Sequence, residues 1–152
     1  MIKKLFLLCA LLLLVNCGYE PIYIKKDNSL IKIGKINFSG DEKINKKILS
    51  SAGIMQTNDI TNSYLLVINS KKNKEIVSKN NAGNATSYKI SVSVNISIIQ
   101  PIDKKVIKSK LFSSSFTYNN NENKFQLSQD EKNILNNLIE STSKKIVFYL
   151  SL

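Results

Sequence analysis

The apolar positions of this chain fall into three kinds of pattern. Residues 5–15 form an unbroken apolar run of eleven. Tyr88, Ile90, Val92, Val94, Ile96 and Ile98 alternate with Ser87, Lys89, Ser91, Ser93, Asn95 and Ser97. An extended strand there has one apolar face and one wholly polar face. Ile134, Leu135, Leu138, Ile139, Thr142, Ile146, Val147 and Leu150 recur at helical spacing to the end of the chain. Weaker patterns fill the rest. Residues 30–38, rich in isoleucine and partly alternating, predict a strand. Ile44, Ile48, Leu49 and Ala52 predict a helix over 41–52, with Ser39 or Asp41 as N-cap and Gly53 at its C-terminal cap. Residues 64–68 (YLLVI) are a continuous apolar run, as in a strand covered on both faces. Strand, helix and strand in that order predict parallel pairing through a crossover.

Pro101, Ile102, Asp103 and Lys104 predict a turn, and residues 106–118 a return strand. The phase of that strand is ambiguous. Phe112, Phe116 and Tyr118 share a face with Lys108 and Lys110, while Ile107 and Leu111 point the other way, which a bulge would reconcile. After a polar loop over 119–124, Ser128-Gln129-Asp130-Glu131 has the form of a capping box opening the last helix. The sum is an α+β fold, a four-stranded mixed sheet with two helices packed on one face. The serine-and-lysine face of the central strand is then left uncovered, wetted or offered to a partner.

The first apolar run is too short for a bilayer-spanning helix, which needs about 20 residues. Behind Lys3 and Lys4 it has the form of a secretory signal. It ends at Leu14-Val15-Asn16-Cys17, which resembles the lipobox of bacterial lipoproteins, with Asn16 where a smaller residue is usual. The expected organisation is a signal peptide at 1–16, a lipidated tether at 17–29 and one domain at 30–152. Cys17 is the expected lipid attachment site. Several acyl chains together make a stable anchor, at about 0.8 kcal/mol per buried methylene. Cys9 lies within the signal, so Cys17 is the one mature cysteine and no internal disulfide can form.

Charge changes this picture less than it promises. The 152 residues include 22 lysines, no arginine and 11 acids, for a net charge of +11. Loss of Lys3 and Lys4 with the signal lowers it to +9. Lysines can bind phosphates without specificity, but specific base contacts lean on arginine forks, and stacking platforms interleave aromatics with the basic groups. Here the lysine pairs are scattered, and heavy use of Lys, Asn and Ile follows A- and T-rich codons, so no nucleic-acid partner is expected. With no histidine, Ser-His-Asp, Cys-His and imidazole-metal chemistry are excluded. The Ser-x-x-Lys matches at Ser29/Lys32 and Ser141/Lys144 are what 19 serines and 22 lysines produce by chance. No metal loop or phosphate cradle is present among so few glycines and such scattered carboxylates. The expectation is a non-catalytic, lipid-anchored binding domain without cofactor or metal.

Cys17-Gly18-Tyr19-Glu20-Pro21-Ile22-Tyr23 resembles the mature start of the LPS-assembly lipoprotein family (LptE-like, alphaproteobacterial form). The order of elements, the turn at Pro101-Ile102-Asp103-Lys104, the strand end from Phe116 to Tyr118 and the terminal helix are similar across the whole chain. The resemblance implies an outer-membrane lipoprotein that acts as plug and assembly partner of the large LPS translocon β-barrel. Its partners would be that barrel, lipopolysaccharide and the membrane holding its anchor. The family's basic positions, just before the third strand and within the last, fall on Lys79 and Lys110, which the resemblance implies as LPS contacts. A protein-binding outer-membrane scaffold without LPS binding is the alternative reading.

Overall fold

The computed structural model describes residues 32–59 and 63–151. The expected signal, Cys17, the tether and the first two residues of the first expected strand lie outside them. The elements are β1 (Ile33–Gly40), α1 (Glu42–Ala52), β2 (Tyr64–Lys79), β3 (Ala85–Ile99), β4 (Val106–Asn119) and α2 (Lys124–Leu150). The sheet runs β1-β2-β3-β4, with β1 parallel to β2 and the other neighbours antiparallel. This is the α+β architecture that the patterns predict, and both helices pack on one face.

Alternation in β3 decides which face. Ile90, Val92, Val94, Ile96 and Ile98 are all buried, against Leu66 and Ile68 of β2, Ile44 and Ile48 of α1, and Leu138, Ile139 and Ile146 of α2. Each such burial contributes about 1.5–3 kcal/mol. Thr142 and Ser143 are buried within α2 as well, and satisfy their hydroxyls on the carbonyls of Leu138 and Ile139, each at 2.8 Å. Their small side chains bring α2 close to the sheet, where Thr142 also reaches Ser114 Oγ at 3.1 Å.

Asp41 caps α1, its Oδ1 accepting the Ile44 N–H at 3.1 Å. Gly53 ends it in the left-handed region, at φ 62°. A second glycine closes β1. At Gly40, φ is 76° and an added Cβ would stand 2.0 Å from the Ser70 carbonyl oxygen, so only glycine lets the chain turn into α1 while Asp41 N–H bonds that carbonyl.

Three expectations are revised. First, β2 does not stop at Ile68 but continues to Lys79. Its second half, NSKKNKEIVSK, has no apolar stripe because β1 ends opposite Ser70 and α2 meets this half through the polar Lys74–Glu131 pair; pairing with β3 holds it. Second, α2 opens at Lys124, with Asn123 accepting the Gln126 N–H at 3.1 Å. Ser128–Glu131 therefore lies a turn inside the helix, and Glu131 turns toward the sheet instead of back to a cap. Third, the phase of β4 is settled. Pairing with β3 is unbroken from Asn119 to Lys108, so Lys108, Lys110, Phe112, Ser114, Phe116 and Tyr118 share the helix-covered face. The irregularity falls where Ile98 pairs with Lys108 and Ile99 with Val106, leaving Ile107 as the extra residue of a bulge.

Candidate ligand groove and open sheet face

Strand period and helix period meet at one edge of the sheet. Lys108, Lys110 and Phe112 project to the helix side of β4, where the last turns of α2 bring Lys144, Lys145, Phe148 and Tyr149. Phe112 and Tyr149 meet edge to face, with centroids 5.6 Å apart and planes at 67°. The Lys110 ammonium lies 5.1 Å from the Tyr149 ring centroid and 5.6 Å from that of Phe112; Lys108 lies 5.6 Å from Tyr149. Such contacts are worth about 0.5–1 kcal/mol at exposed sites, enough to orient a lysine without neutralising it. Lys145 donates to Ser114 Oγ at 3.0 Å. Lys144 pairs with Glu140 at 2.8 Å and holds that carboxyl below its ordinary pKa through the hydrogen bond and its charge.

Between them lies an open groove of about 580 Å³, lined by Lys110, Leu111, Phe112, Lys145, Phe148 and Tyr149 among others. Phe148 is 66% exposed on its wall. Apolar walls rimmed by ammonium groups suit a ligand with acyl or other apolar parts and anionic headgroups. Sequence reasoning singled out Lys110 but missed Lys145, Phe148 and Tyr149. The available signal was the spacing of Lys144-Lys145 four residues ahead of Phe148-Tyr149, which puts each basic residue on the same helix face as a ring.

Lys79 is not part of this groove. It ends β2 and pairs with Ala85, whereas Lys110 pairs with Ile96 of the same strand. Eleven residues of β3 separate those positions, roughly 36 Å at about 3.3 Å per residue. The two lysines thus stand at different ends of the sheet and form no joint site.

On the helix side, a second basic cluster is structural. Lys74 pairs with Glu131 and lies 4.4 Å over the Tyr88 ring, and Tyr118 donates its hydroxyl to Glu131 at 2.7 Å. Burial opposes ionisation of Glu131, but hydrogen bonds from Lys74 and Tyr118 and the charges of Lys74 and Lys72 outweigh it and hold its carboxyl below the ordinary value. Burial, then the bond to Glu131, pushes the Tyr118 phenol up.

The opposite face of the sheet is bare. Ser91, Ser93, Asn95 and Ser97 of β3 lie beside Asn69 and Asn73 of β2 and Ser109, Ser113 and Ser115 of β4. Ser97 and Ser109 hydroxyls meet at 2.9 Å, and Ser93 and Ser113 at 3.4 Å. Glu75 pairs with Lys89 at 3.0 Å, and Lys71, opposite Ser93, adds a further ammonium group to this face. Leu111 interrupts the polar surface, 66% exposed, and from the β4 edge it also borders the groove. Among the described residues no group of three or more acids and cysteines could hold a metal ion, and no helix is long and apolar enough to cross a membrane.

A polar sheet face, a helix-covered core and a lysine-rimmed groove on one edge make this a small α+β domain with two helices on one face of a four-stranded sheet. Solved lipoproteins share this fold. Rare lipoprotein B from Shewanella oneidensis superposes with a TM-score of 0.60 at 10% identity, covering 78% of this chain and 94% of that one. A minor lipoprotein from Acinetobacter baumannii gives 0.60 at 14% identity, covering 80% and 92%. Lipoprotein B from Nitrosomonas europaea gives 0.55 at 8% identity, covering 77% and 81%. No curated protein matches the chain. The family model LptE, lipopolysaccharide-assembly, matches residues 39–150, and the chain belongs to that family. Its role lies in lipopolysaccharide assembly.

Proposed function

We propose that the protein is an outer-membrane lipoprotein, anchored through acylated Cys17, that acts as plug and assembly partner of the LPS translocon β-barrel. In this reading it assists lipopolysaccharide to the outer leaflet and catalyses no reaction. The observation that carries it is the uncovered sheet face. Barrel lumens are polar, and a broad surface of hydroxyls and amides, interrupted by Lys71 and the Glu75–Lys89 pair, can lie against such a wall with its polar groups hydrogen-bonded. The groove supports the second half of the reading. Lipopolysaccharide joins acyl chains to phosphates and acidic sugars, and Lys110, Lys108 and Lys145 offer point charges beside Phe112, Phe148 and Tyr149. Lys110 is proposed to contact a lipid A phosphate or the inner core. Lys79, at the far end of the sheet, would meet a different part of the ligand or a second molecule.

Isolation of the protein from envelopes tests this. A large β-barrel partner should co-purify at a fixed ratio, and the isolated protein should bind lipopolysaccharide. Free monomer without a barrel overturns the plug. A barrel partner with no lipopolysaccharide binding would replace the reading with the scaffold alternative.

A further inference from the structure

The sheet has two hairpin tips at opposite ends, and they differ in kind. The β2–β3 tip is Asn80-Asn81-Ala82-Gly83-Asn84, polar and held by Asn80 Oδ1, which accepts from the N–H groups of Ala82 and Asn84. The β3–β4 tip carries Ile102, 87% exposed, beside Lys104 and Lys105. Lys104 holds φ 54°, a left-handed conformation that glycine or asparagine adopts at lower cost.

Around the Ile102 tip the other elements that end there add to one surface. Gln56 bridges to the start of β1 and lines, with Lys35, Pro101 and Lys104, an apolar cavity of about 630 Å³. Met55, next to Gln56, is 82% exposed, and Val106 at the start of β4 is also exposed. Lys32 is occupied by Asp59 at 3.3 Å, and the Asp103 carboxylate by the Lys105 N–H at 3.1 Å. The ammonium groups of Lys35, Lys104 and Lys105 form no ion pair among the described residues and leave this end net positive. The chain from Cys17 also arrives here, since β1 begins at Ile33, and fourteen residues lie between Cys17 and Lys32, a reach of at most ~50 Å.

We propose that this end of the sheet is a second, non-covalent membrane contact, in which Ile102 and Met55 enter the headgroup boundary of an anionic bilayer and Lys35, Lys104 and Lys105 meet its phosphates. Exposed apolar side chains ringed by lysines are the composition that interfacial binding requires. The anchor reading at Cys17 explains why such a surface sits at this end. The contact would fix the orientation of the domain on the membrane, with its bare face and groove held at a set angle, which a single point of attachment cannot do.

The test uses the mature chain with Cys17→Ser, so that acyl groups cannot do the binding, and vesicles of phosphatidylglycerol with phosphatidylethanolamine. Vesicle binding is expected, and Ile102→Ser with Met55→Ser should weaken it roughly tenfold or more. Phe125→Ser, on the first turn of α2 at the other end, should leave it unchanged. Both substituted positions are exposed, and an unaltered thermal melt would show that the fold is intact. Absence of vesicle binding by the Cys17→Ser chain, or equal binding after the double substitution, overturns the proposal. The mass of the Cys17 peptide from envelopes tests the anchor separately: an unmodified cysteine removes the anchor reading, whatever the vesicles show.

Discussion

Tyr118 of β4 donates its hydroxyl to Glu131 of α2 at 2.7 Å, and this bond ties the far end of the sheet to the helix that covers it. Lys74 of β2 reaches the same carboxylate, so three elements converge on one acid. The apolar core thins here, with Ile76 and Phe116 exposed nearby, and the polar cluster takes over its task.

Replacing Tyr118 with Phe should therefore cost about 1.5–3 kcal/mol, the range for a hydrogen bond to a charged group. Urea unfolding at neutral pH would measure it. An unchanged midpoint would show that Lys74 alone satisfies Glu131.

The same cluster sets a pH dependence with a definite sign. Folding lowers the Glu131 pKa from its ordinary 4.5, so the unfolded chain binds the proton more readily. That stability is present above pH 4.5 and is lost as pH falls through the folded value. Tyr118 works in the opposite limb: its raised phenol pKa contributes stability that is full below 10 and declines as pH rises past it. Glu131→Gln should flatten the acid limb of a stability-versus-pH curve. An acid limb identical to that of the unsubstituted protein would assign it to other carboxylates.

Two glycines should answer differently to alanine. At Gly40 the added Cβ meets the Ser70 carbonyl oxygen at 2.0 Å, so Gly40→Ala must shift backbone and should cost about 3 kcal/mol or more. Gly53 has the same handedness but open space around it, so Gly53→Ala should cost only the conformational term, about 1–2 kcal/mol. Paired thermal melts would separate the two.

Within the groove, Lys110→Glu together with Lys145→Glu should weaken lipopolysaccharide binding at least about tenfold, with a loss that shrinks at high salt. Lys79→Glu, some 36 Å away along β3, should act additively if it contacts ligand at all. Binding unaffected by the groove pair would remove the groove from the proposed role.

Leu111 tests the bare face. Exposed and without a core partner, it should accept Asp at a stability change within about 0.5 kcal/mol. If that face lies against a barrel wall, the same substitution should reduce recovery of the barrel partner from envelopes.

What could be read from the residues follows from how local each signal is. The β3 stripe, the α1 spacing with Asp41 and Gly53, and the periodicity of α2 are short-range consequences of period two and period 3.6, and all of them fold as their patterns predict. Family membership was legible too, in the residues from Cys17 to Tyr23 and the order of elements. The second half of β2 was not, because its hold is the hydrogen-bond ladder to β3, which leaves no apolar trace in a lysine-rich stretch. Nor was the role of Glu131. Its spacing from Ser128 is that of a cap, and only the earlier start at Asn123 turns it toward Lys74 and Tyr118. The groove is the fullest case of this division. Lys110 and Phe112 are neighbours by strand period, but Tyr149 lies far along the chain, and only packing of Thr142 and Ser143 against the sheet brings its ring beneath the ammonium. Local alternation determines which residues a strand offers to each face; which distant residues meet there depends on how closely the helix can approach.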